Sequence, residues 1–197
     1  MRACADELAV DPRHVADPAW TIELARDETN LLGFVAVSFD AQPAELEAMF
    51  VAPEALGRRL GEHLMTRALV ACARRGRSSL SIQSDPNAED FYCRMGAVRV
   101  GRQESASIAG RFLPRLVLPL EAMTIGSRTH ALWIRPVSRS ICGAGMEVLV
   151  DGRVIGRLDT PSTDGAADSC VVDWPGGAAI AARIDGLRSR RVGLAHE

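Results

Sequence analysis

Residues 87–96 combine two side chains whose types and spacing allow chemistry, Asn87 and Tyr92, on a predicted short helix that Gly96 closes. Tyr92 is the only tyrosine of the chain, and a phenol has a pKa of about 10, close enough to that of a thiol for the two groups to share a proton within hydrogen-bond reach. Tyr92 is therefore a candidate general acid. The alternative is a half-buried tyrosine whose hydroxyl only satisfies a backbone group. Asn87 is equally typical of a local cap near a helix start.

A glycine-bearing turn at residues 56–61 comes directly before the apolar repeat of a helix, and it reads Leu56-Gly57-Arg58-Arg59-Leu60-Gly61. The first N–H groups of a helix have no partner within the helix and carry the positive end of its dipole, so such a turn suits a diphosphate. The two glycines allow a close backbone approach, and either arginine can pair with a phosphate directly. The same pattern is also common structural punctuation.

Two carboxylates, Glu45 and Glu47, alternate on a predicted strand, so they are expected on one face of the sheet. They are candidates for a general base that takes a proton from an ammonium group, or else ordinary surface charges. His63 lies on the polar side of the predicted helix, where a solvated histidine is the simpler interpretation. The five cysteines, Cys4, Cys72, Cys93, Cys142 and Cys170, are widely spread without metal-binding spacing, and no metal site is predicted.

Composition narrows the classes of partner. A net charge of −2 and a pI of about 6.1 disfavour nucleic acid and anionic lipid. The first residues lack the apolar core of a secretion signal, and no apolar run reaches the length of a membrane span of about 18 residues. We therefore expect a soluble, cytoplasmic protein that binds neither nucleic acid nor membrane.

The elements that must position these residues follow from periodicity and turn signals, and they indicate an α/β fold for residues 1–120. A helix is predicted from Gly57 to its end at Gly76, and a short helix from a cap at Asp85 to Met95. The predicted strands are Thr21–Arg26, Leu31–Phe39, Glu45–Val51, Ser79–Gln83, Val98–Gly101 and Phe112–Leu120.

The second part of the chain has a different texture. Residues 121–129 are predicted as a linker, and residues 130–197 as a small all-β module of five or six strands whose role the residues do not indicate. Two Asp-Gly pairs, Asp151-Gly152 and Asp185-Gly186, are each expected to form a two-residue hairpin turn with positive φ.

The order of strand, glycine turn, long helix, strand and short helix with Phe91-Tyr92 resembles the GCN5-related N-acetyltransferases (GNAT). The resemblance implies a mixed sheet with flanking helices, acetyl-CoA as cosubstrate and a small-molecule or peptide amine as acceptor. It also implies roles for single residues: Tyr92 as acid, Glu47 or Glu45 as base, and Asn87 on the pantetheine arm. The implied main-chain contacts to the cosubstrate come from Met49, Phe50, Val51, Leu56, Gly57, Arg58, Arg59, Leu60 and Gly61.

Two features depart from the family pattern. The family's turn is usually Q/R-x-x-G-x-G/A, whereas this chain has Leu56 at the first position and Arg59 in place of the middle glycine. In addition, only some twenty residues precede the first predicted strand, so the family's first strand and front helices are expected to be largely missing. An open sheet edge and uncovered apolar surface would follow, to be covered by the all-β module or by a second subunit in a homodimer.

Two functions from different classes therefore compete at this point. The first is an N-acetyltransferase that works by direct attack of an amine in a ternary complex. The second is a non-catalytic or degenerate module that binds CoA or a partner.

Overall fold

The computed structural model describes residues 11–105, 108–125, 127–137, 145–158, 168–174, 178–185 and 189–194. Strands β1 (Trp20–Arg26) and β2 (Leu31–Ser38) form the predicted antiparallel hairpin, and β3 (Ala44–Val51) pairs with β2. The turn between β1 and β2 is stabilised by Asp27, whose Oδ1 accepts hydrogen bonds from the N–H groups of Thr29 and Asn30.

The long helix α1 (Leu60–Arg74) ends as predicted at Gly76, which has a φ of 64°. After β4 (Ser79–Gln83) comes the short helix α2 (Glu89–Arg94), followed by β5 (Val98–Glu104) and β6 (Phe112–Pro119). The predicted cap at Asp85 was wrong in position, because α2 begins only after Ala88. Asp85 instead accepts from the backbone N–H of Asn87 and so stabilises the turn before the helix.

The first sheet has six strands in the order β1-β2-β3-β4-β6-β5. Among the described strands its only parallel pair is β3 with β4, and that pairing covers three residues of each strand, Ala44–Leu46 and Leu80–Ile82. Beyond Leu46, strand β3 continues to Val51 with no described strand paired on this side, so β3 and β4 separate. Helix α1 packs on one face of the sheet through a continuous apolar core. The predicted mixed α/β fold is confirmed.

A second, antiparallel sheet follows in the order β10-β9-β8-β7. Its strands are β7 (Glu121–Ile125), β8 (Arg128–Pro136), β9 (Met146–Val150) and β10 (Arg153–Leu158). Three further strands, β11 (Asp168–Trp174), β12 (Ala178–Asp185) and β13 (Ser189–Leu194), form an antiparallel sheet of their own. Six strands thus lie between residues 128 and 194, in agreement with the predicted β-rich texture.

Three details of this second part differ from or refine the sequence expectation. The Asp151-Gly152 turn has the predicted positive φ values of 46° and 82°. At the other pair Asp185 lies opposite Ser189, which leaves three residues between them, so a two-residue turn at Asp185-Gly186 was wrong; residues 186–188 lie outside the described residues. Within the expected linker 121–129, residues 121–125 form strand β7 instead of irregular chain.

The second sheet packs directly on the first part of the chain. Trp133 of β8 is only 1% exposed and joins Leu64 and Met65 of α1 in one core. Gly96, directly after α2, lies so close to the Ile134 carbonyl that a Cβ there would overlap it. Gly152 lies against Thr66 of α1, where a Cβ would approach Oγ1 to 2.8 Å. The two parts of the chain therefore share one core. Their division into two domains at residue 120 remains a prediction.

The sheet face opposite α1 carries an exposed apolar row. Leu24, Phe34 and Phe50 lie opposite one another on β1, β2 and β3, and the rings of Phe34 and Phe50 are 6.3 Å apart. Leu24 is 62% and Phe50 is 38% exposed. Among the described strands β1 pairs only with β2 and forms the outer edge of the sheet. None of the helices in the described ranges is long and apolar enough to cross a bilayer.

Candidate active site

The separation of β3 from β4 opens a groove of about 450 Å³ between the end of β3, the start of α1 and helix α2. Its walls bring together most of the predicted cosubstrate residues with the predicted acid, Tyr92. The groove is lined by Met49, Val51, Ala55, Leu56, Gly57, Arg59, Leu60, Gly61, Glu62, Ala88, Phe91, Tyr92 and Arg94.

The turn before α1 presents a row of free backbone donors. The first helical hydrogen bond runs from the N–H of His63 to the carbonyl of Arg59, at 3.1 Å. Within the described part of the chain, the N–H groups of residues 57–62 donate to no carbonyl or side chain. Free N–H groups at the positive end of a helix dipole form an anion-binding site. The start of α1 can therefore receive a diphosphate.

The two glycines of the turn are needed for different structural reasons. Gly57 adopts a φ of 77°, a conformation that costs other residues about 1–2 kcal/mol. Gly61 lies against the ring of Phe91, where a Cβ would approach the ring carbon Cε2 to 3.3 Å. The small residue thus brings α1 and α2 close together at the floor of the groove.

Arg59 occupies the position where the family usually has glycine, and it adopts the left-handed conformation that glycine would favour, with a φ of 60°. Its side chain is 74% exposed and forms an ion pair with Glu62, with Nη2 and Oε2 2.9 Å apart. The ion pair places the guanidinium beside the first turn of α1, and Arg59 is one of the residues that line the groove. The strained backbone and the ion pair are the local result of the departure from the family pattern.

Tyr92 is 7% exposed and packs edge-on against Phe91, with ring centroids 5.2 Å apart. Burial disfavours the charged phenolate and raises the pKa of Tyr92 to about 12, so the hydroxyl holds its proton at neutral pH. Among the described residues no group forms a hydrogen bond with this hydroxyl. The backbone partner that the purely structural interpretation requires is therefore not found there, and the ring borders the groove.

Glu45 and Glu47 line a separate cleft of about 120 Å³ with Ser81, Gln83 and Gln103. The expectation that both carboxylates share one face is confirmed. Ala48 pairs with Ala36 and Leu46 with Val37, so Glu47 is the extra residue of a bulge, directly after the last residue that pairs with β4. Desolvation, followed by the charge of Glu45, raises the pKa of Glu47 above its usual range although the side chain remains exposed.

Three predicted residues do not line the groove. Asn87 is exposed, lies before α2 and donates from Nδ2 to Oδ1 of Asp85 at 2.9 Å; no described side chain caps α2, so the local-cap interpretation was wrong as well. Arg58 borders the neighbouring cavity on the side of the second sheet. The Phe50 side chain lies on the opposite face of the first sheet, against Phe34. Its predicted main-chain contact remains a prediction.

The sequence interpretation missed several residues of both cavities: Glu62, Phe91, Arg94, Ser81, Gln83 and Gln103. Only Phe91 carried a usable signal, because it lies in the short helix directly before Tyr92. His63 is exposed, in agreement with the solvated histidine that was expected. The described residues contain no cluster of three or more side chains able to hold a metal ion.

Comparison with known proteins agrees with the geometry. A family model described as an acetyltransferase (GNAT) domain matches residues 10–108, half of the 197-residue chain. A comparison with curated protein sequences found no match.

Three of the solved structures that resemble the chain are acetyltransferases. One is a GNAT protein from Desulfovibrio desulfuricans, with 17% identity, 54% of this chain and 74% of that chain covered, and a TM-score of 0.47. An aminoglycoside 6'-N-acetyltransferase in complex with coenzyme A has 15% identity, coverages of 54% and 76%, and a TM-score of 0.49. An N-acetyltransferase from Thermoplasma acidophilum in complex with coenzyme A has 18% identity, coverages of 53% and 64%, and a TM-score of 0.45.

The family model covers the part of the chain that builds the groove, since every residue that lines the groove lies between Met49 and Arg94. The chain belongs to the GNAT family of acetyltransferases and is an acyltransferase enzyme.

Proposed function

We propose that the protein is an N-acetyltransferase that moves the acetyl group of acetyl-CoA to a primary amine by direct attack in a ternary complex. The observation that carries this proposal is the shared groove, in which the free N–H groups at the start of α1 and the hydroxyl-bearing ring of Tyr92 border one cavity. A diphosphate at the first end would direct the attached thioester toward the second.

The residues present fit acetyl-CoA, which supplies an activated acetyl thioester when bound. The N–H groups of residues 57–62 would hold the diphosphate. The unpaired edge of β3 from residue 47 to residue 51 offers main-chain donors and acceptors to the amides of the pantetheine arm. Met49, Val51 and Phe91 supply the apolar walls along which that arm would lie.

Proton transfer assigns different roles to the two cavities. The amine would enter from the cleft beside Glu47 and lose its proton to that carboxylate, whose raised pKa makes it a better base than a solvated glutamate. The C–N bond would form, the C–S bond would break, and Tyr92 would give its proton to the departing sulfur, while the second proton lost by the attacking nitrogen would return to the Tyr92 phenolate through solvent. A thiolate in the same buried groove is desolvated as Tyr92 is, so its proton affinity rises together with that of the phenol.

The class of acceptor follows from charge. Glu45 and Glu47 place two carboxylates at the cleft, which favours a cationic amine over a neutral or anionic one. Among the similar structures, one acts on aminoglycosides and another is a spermidine N-acetyltransferase, and both of these acceptors are polycationic amines. We propose a small cationic amine as the acceptor.

The test combines calorimetric titration with acetyl-CoA and a thiol-release assay over a panel of polyamines, aminoglycosides and peptide amines. The Tyr92→Phe variant should lower kcat by about 100-fold or more while the Kd for acetyl-CoA stays nearly unchanged, because only the proton transfer is lost. An equal loss of binding would show that Tyr92 is structural and would refute its role as the acid.

A second candidate function is a module that binds CoA without turnover. The strained Arg59 in the turn and the partly exposed apolar row of Leu24, Phe34 and Phe50 favour it, because an exposed apolar patch is typical of a surface that binds a partner. Tight binding of acetyl-CoA with no thiol release from any amine of the panel would support this second function over the first.

A further inference from the structure

A chain of alternating charges runs from the start of α1 to the second sheet. Arg59 contacts Glu62, with Nη2 and Oε2 2.9 Å apart, and the same oxygen lies 3.5 Å from Nη1 of Arg135 on β8. Arg135 also contacts Glu147 of β9 through Nε, at 2.9 Å, and Glu147 contacts Arg157 of β10 at 3.2 Å. The second sheet therefore reaches the mouth of the groove through one charged side chain, Arg135.

Glu62 is an unfavourable residue for an anion site. It lies in the first turn of α1, lines the groove and carries one of the free N–H groups. The hydrogen bond from Arg59 is the main cause that holds the pKa of Glu62 below its usual range, and the charge of Arg135 is a smaller one. The carboxylate therefore stays ionised at neutral pH. A permanent negative charge thus stands beside the place proposed for a diphosphate, and like charges repel.

Arg135 is held in a fixed orientation that offsets this charge. Its side chain is 17% exposed, and that of its partner Glu147 is 11% exposed, whereas Arg59 is 74% exposed. Glu147 accepts the Nε–H of Arg135 at 2.9 Å, and a different nitrogen of the same guanidinium, Nη1, points to Glu62. The close approach of Gly96 to the Ile134 carbonyl fixes this part of β8 against the end of α2. A half-buried cation held by two carboxylates neutralises a neighbouring carboxylate more dependably than a solvated one.

We propose that Arg135 is a positioning residue for the cosubstrate: it neutralises Glu62 and thereby allows the N–H groups at the start of α1 to bind the acetyl-CoA diphosphate. This inference rests on the proposed function, and it gives the second sheet a part in cosubstrate binding. Arg135 acts through Glu62 and does not itself touch the diphosphate.

The test is a double-mutant cycle on the full chain, read by calorimetric titration with CoA and with pantetheine, which lacks the diphosphate. Arg135→Gln should weaken CoA binding by about fivefold, the size expected for one partly exposed charge, and leave pantetheine binding unchanged. Glu62→Gln should tighten CoA binding by a few-fold, because the repulsion disappears. In the double variant the loss caused by Arg135→Gln should vanish, and Arg135→Lys should keep most of the wild-type affinity.

Arg128→Gln is the matched control, because Arg128 begins the same strand, is exposed and lies away from the groove; its CoA affinity should equal that of the wild type. A fivefold loss that persists in the Glu62→Gln background would overturn the inference, as would equal losses for CoA and pantetheine. Should Arg135→Gln fail to fold, an unchanged CoA affinity of Glu62→Gln alone would overturn it. A wild-type protein that binds no CoA would instead refute the proposed function.

Discussion

Replacement of Gly96 by alanine tests whether the second sheet is an integral part of the fold. Gly96 follows α2 with a φ of 106°, and its N–H donates to the carbonyl of Cys93. A Cβ at this position would overlap the Ile134 carbonyl oxygen of β8 and lie 3.2 Å from the carbonyl carbon. Both obstacles are main-chain atoms, which cannot rotate away, so β8 must move from the end of α2.

The expected loss can be separated into two parts with Gly76→Ala as the matched control. Gly76 also ends a helix, has a φ of 64°, and donates its N–H to the carbonyl three residues earlier, that of Ala73, but a Cβ there meets nothing within 4 Å. The backbone cost, less the gain from a stiffer unfolded chain, is about 1 kcal/mol. Gly96→Ala adds the displacement of packed main chain, about 1–3 kcal/mol, which gives a total of about 3 kcal/mol.

The assay is thermal and denaturant unfolding of the two variants and the wild type, followed by tryptophan fluorescence. Trp133 is buried beside α1, so its emission reports on the interface between the two parts. For a chain of this length the midpoint should fall by roughly 6–12 °C in Gly96→Ala and by roughly 2–4 °C in Gly76→Ala. Equal shifts in the two variants would refute the conclusion that β8 is docked on the end of α2.

Three further predictions concern the groove and its surroundings. The rate of acetyl transfer should fall as the pH decreases through the raised pKa of Glu47; Glu47→Gln should abolish this limb of the pH profile, whereas Glu45→Gln should move it to lower pH because the Glu45 charge is one cause of the shift. Gly61→Ala should weaken acetyl-CoA binding by about tenfold in titration, because its Cβ presses on Phe91 and narrows the groove, and an unchanged Kd would contradict this. Burial raises the pKa of the Cys72 thiol to about 12, so iodoacetamide should modify Cys72 only after unfolding, as mass spectrometry of the labelled peptides can show.

Local sequence signals predicted the architecture of the first part well, for physical reasons that particular residues illustrate. The four-residue recurrence of Leu60, Leu64 and Ala68 determined the helix, and Gly76 determined its end, since few other residues adopt a left-handed backbone. The position of the cap at Asp85 failed because an aspartate can stabilise a turn or a helix start with the same oxygen. Which of the two it does depends on tertiary contacts of α2 that the local sequence does not contain.

The candidate site was only partly predictable. Residues that form it through their main chain or as neighbours along the chain, such as Gly57, Gly61 and Tyr92, follow from local motifs. Arg94 lines the groove because of how helix α2 is placed beside α1. Gln103 lines the cleft because its strand β5 pairs with β6, which pairs with β4. Such angles and registers depend on the whole sheet, so no motif of a few residues carries them.

The role of the second sheet follows from contacts between residues far apart in the sequence. Arg135 and Glu62 are separated by 73 positions, and neither lies in a recognisable motif, yet they meet because Trp133 packs on α1 and Gly96 admits the β8 backbone. A separate domain on a linker would leave Glu62 balanced by Arg59 alone, a side chain that solvent and salt screen. The shared core instead places a half-buried cation beside the groove. The stability of the interface and the affinity for the cosubstrate should therefore change together: a variant that loosens β8, such as Gly96→Ala, should also weaken CoA binding at temperatures where the rest of the fold is intact.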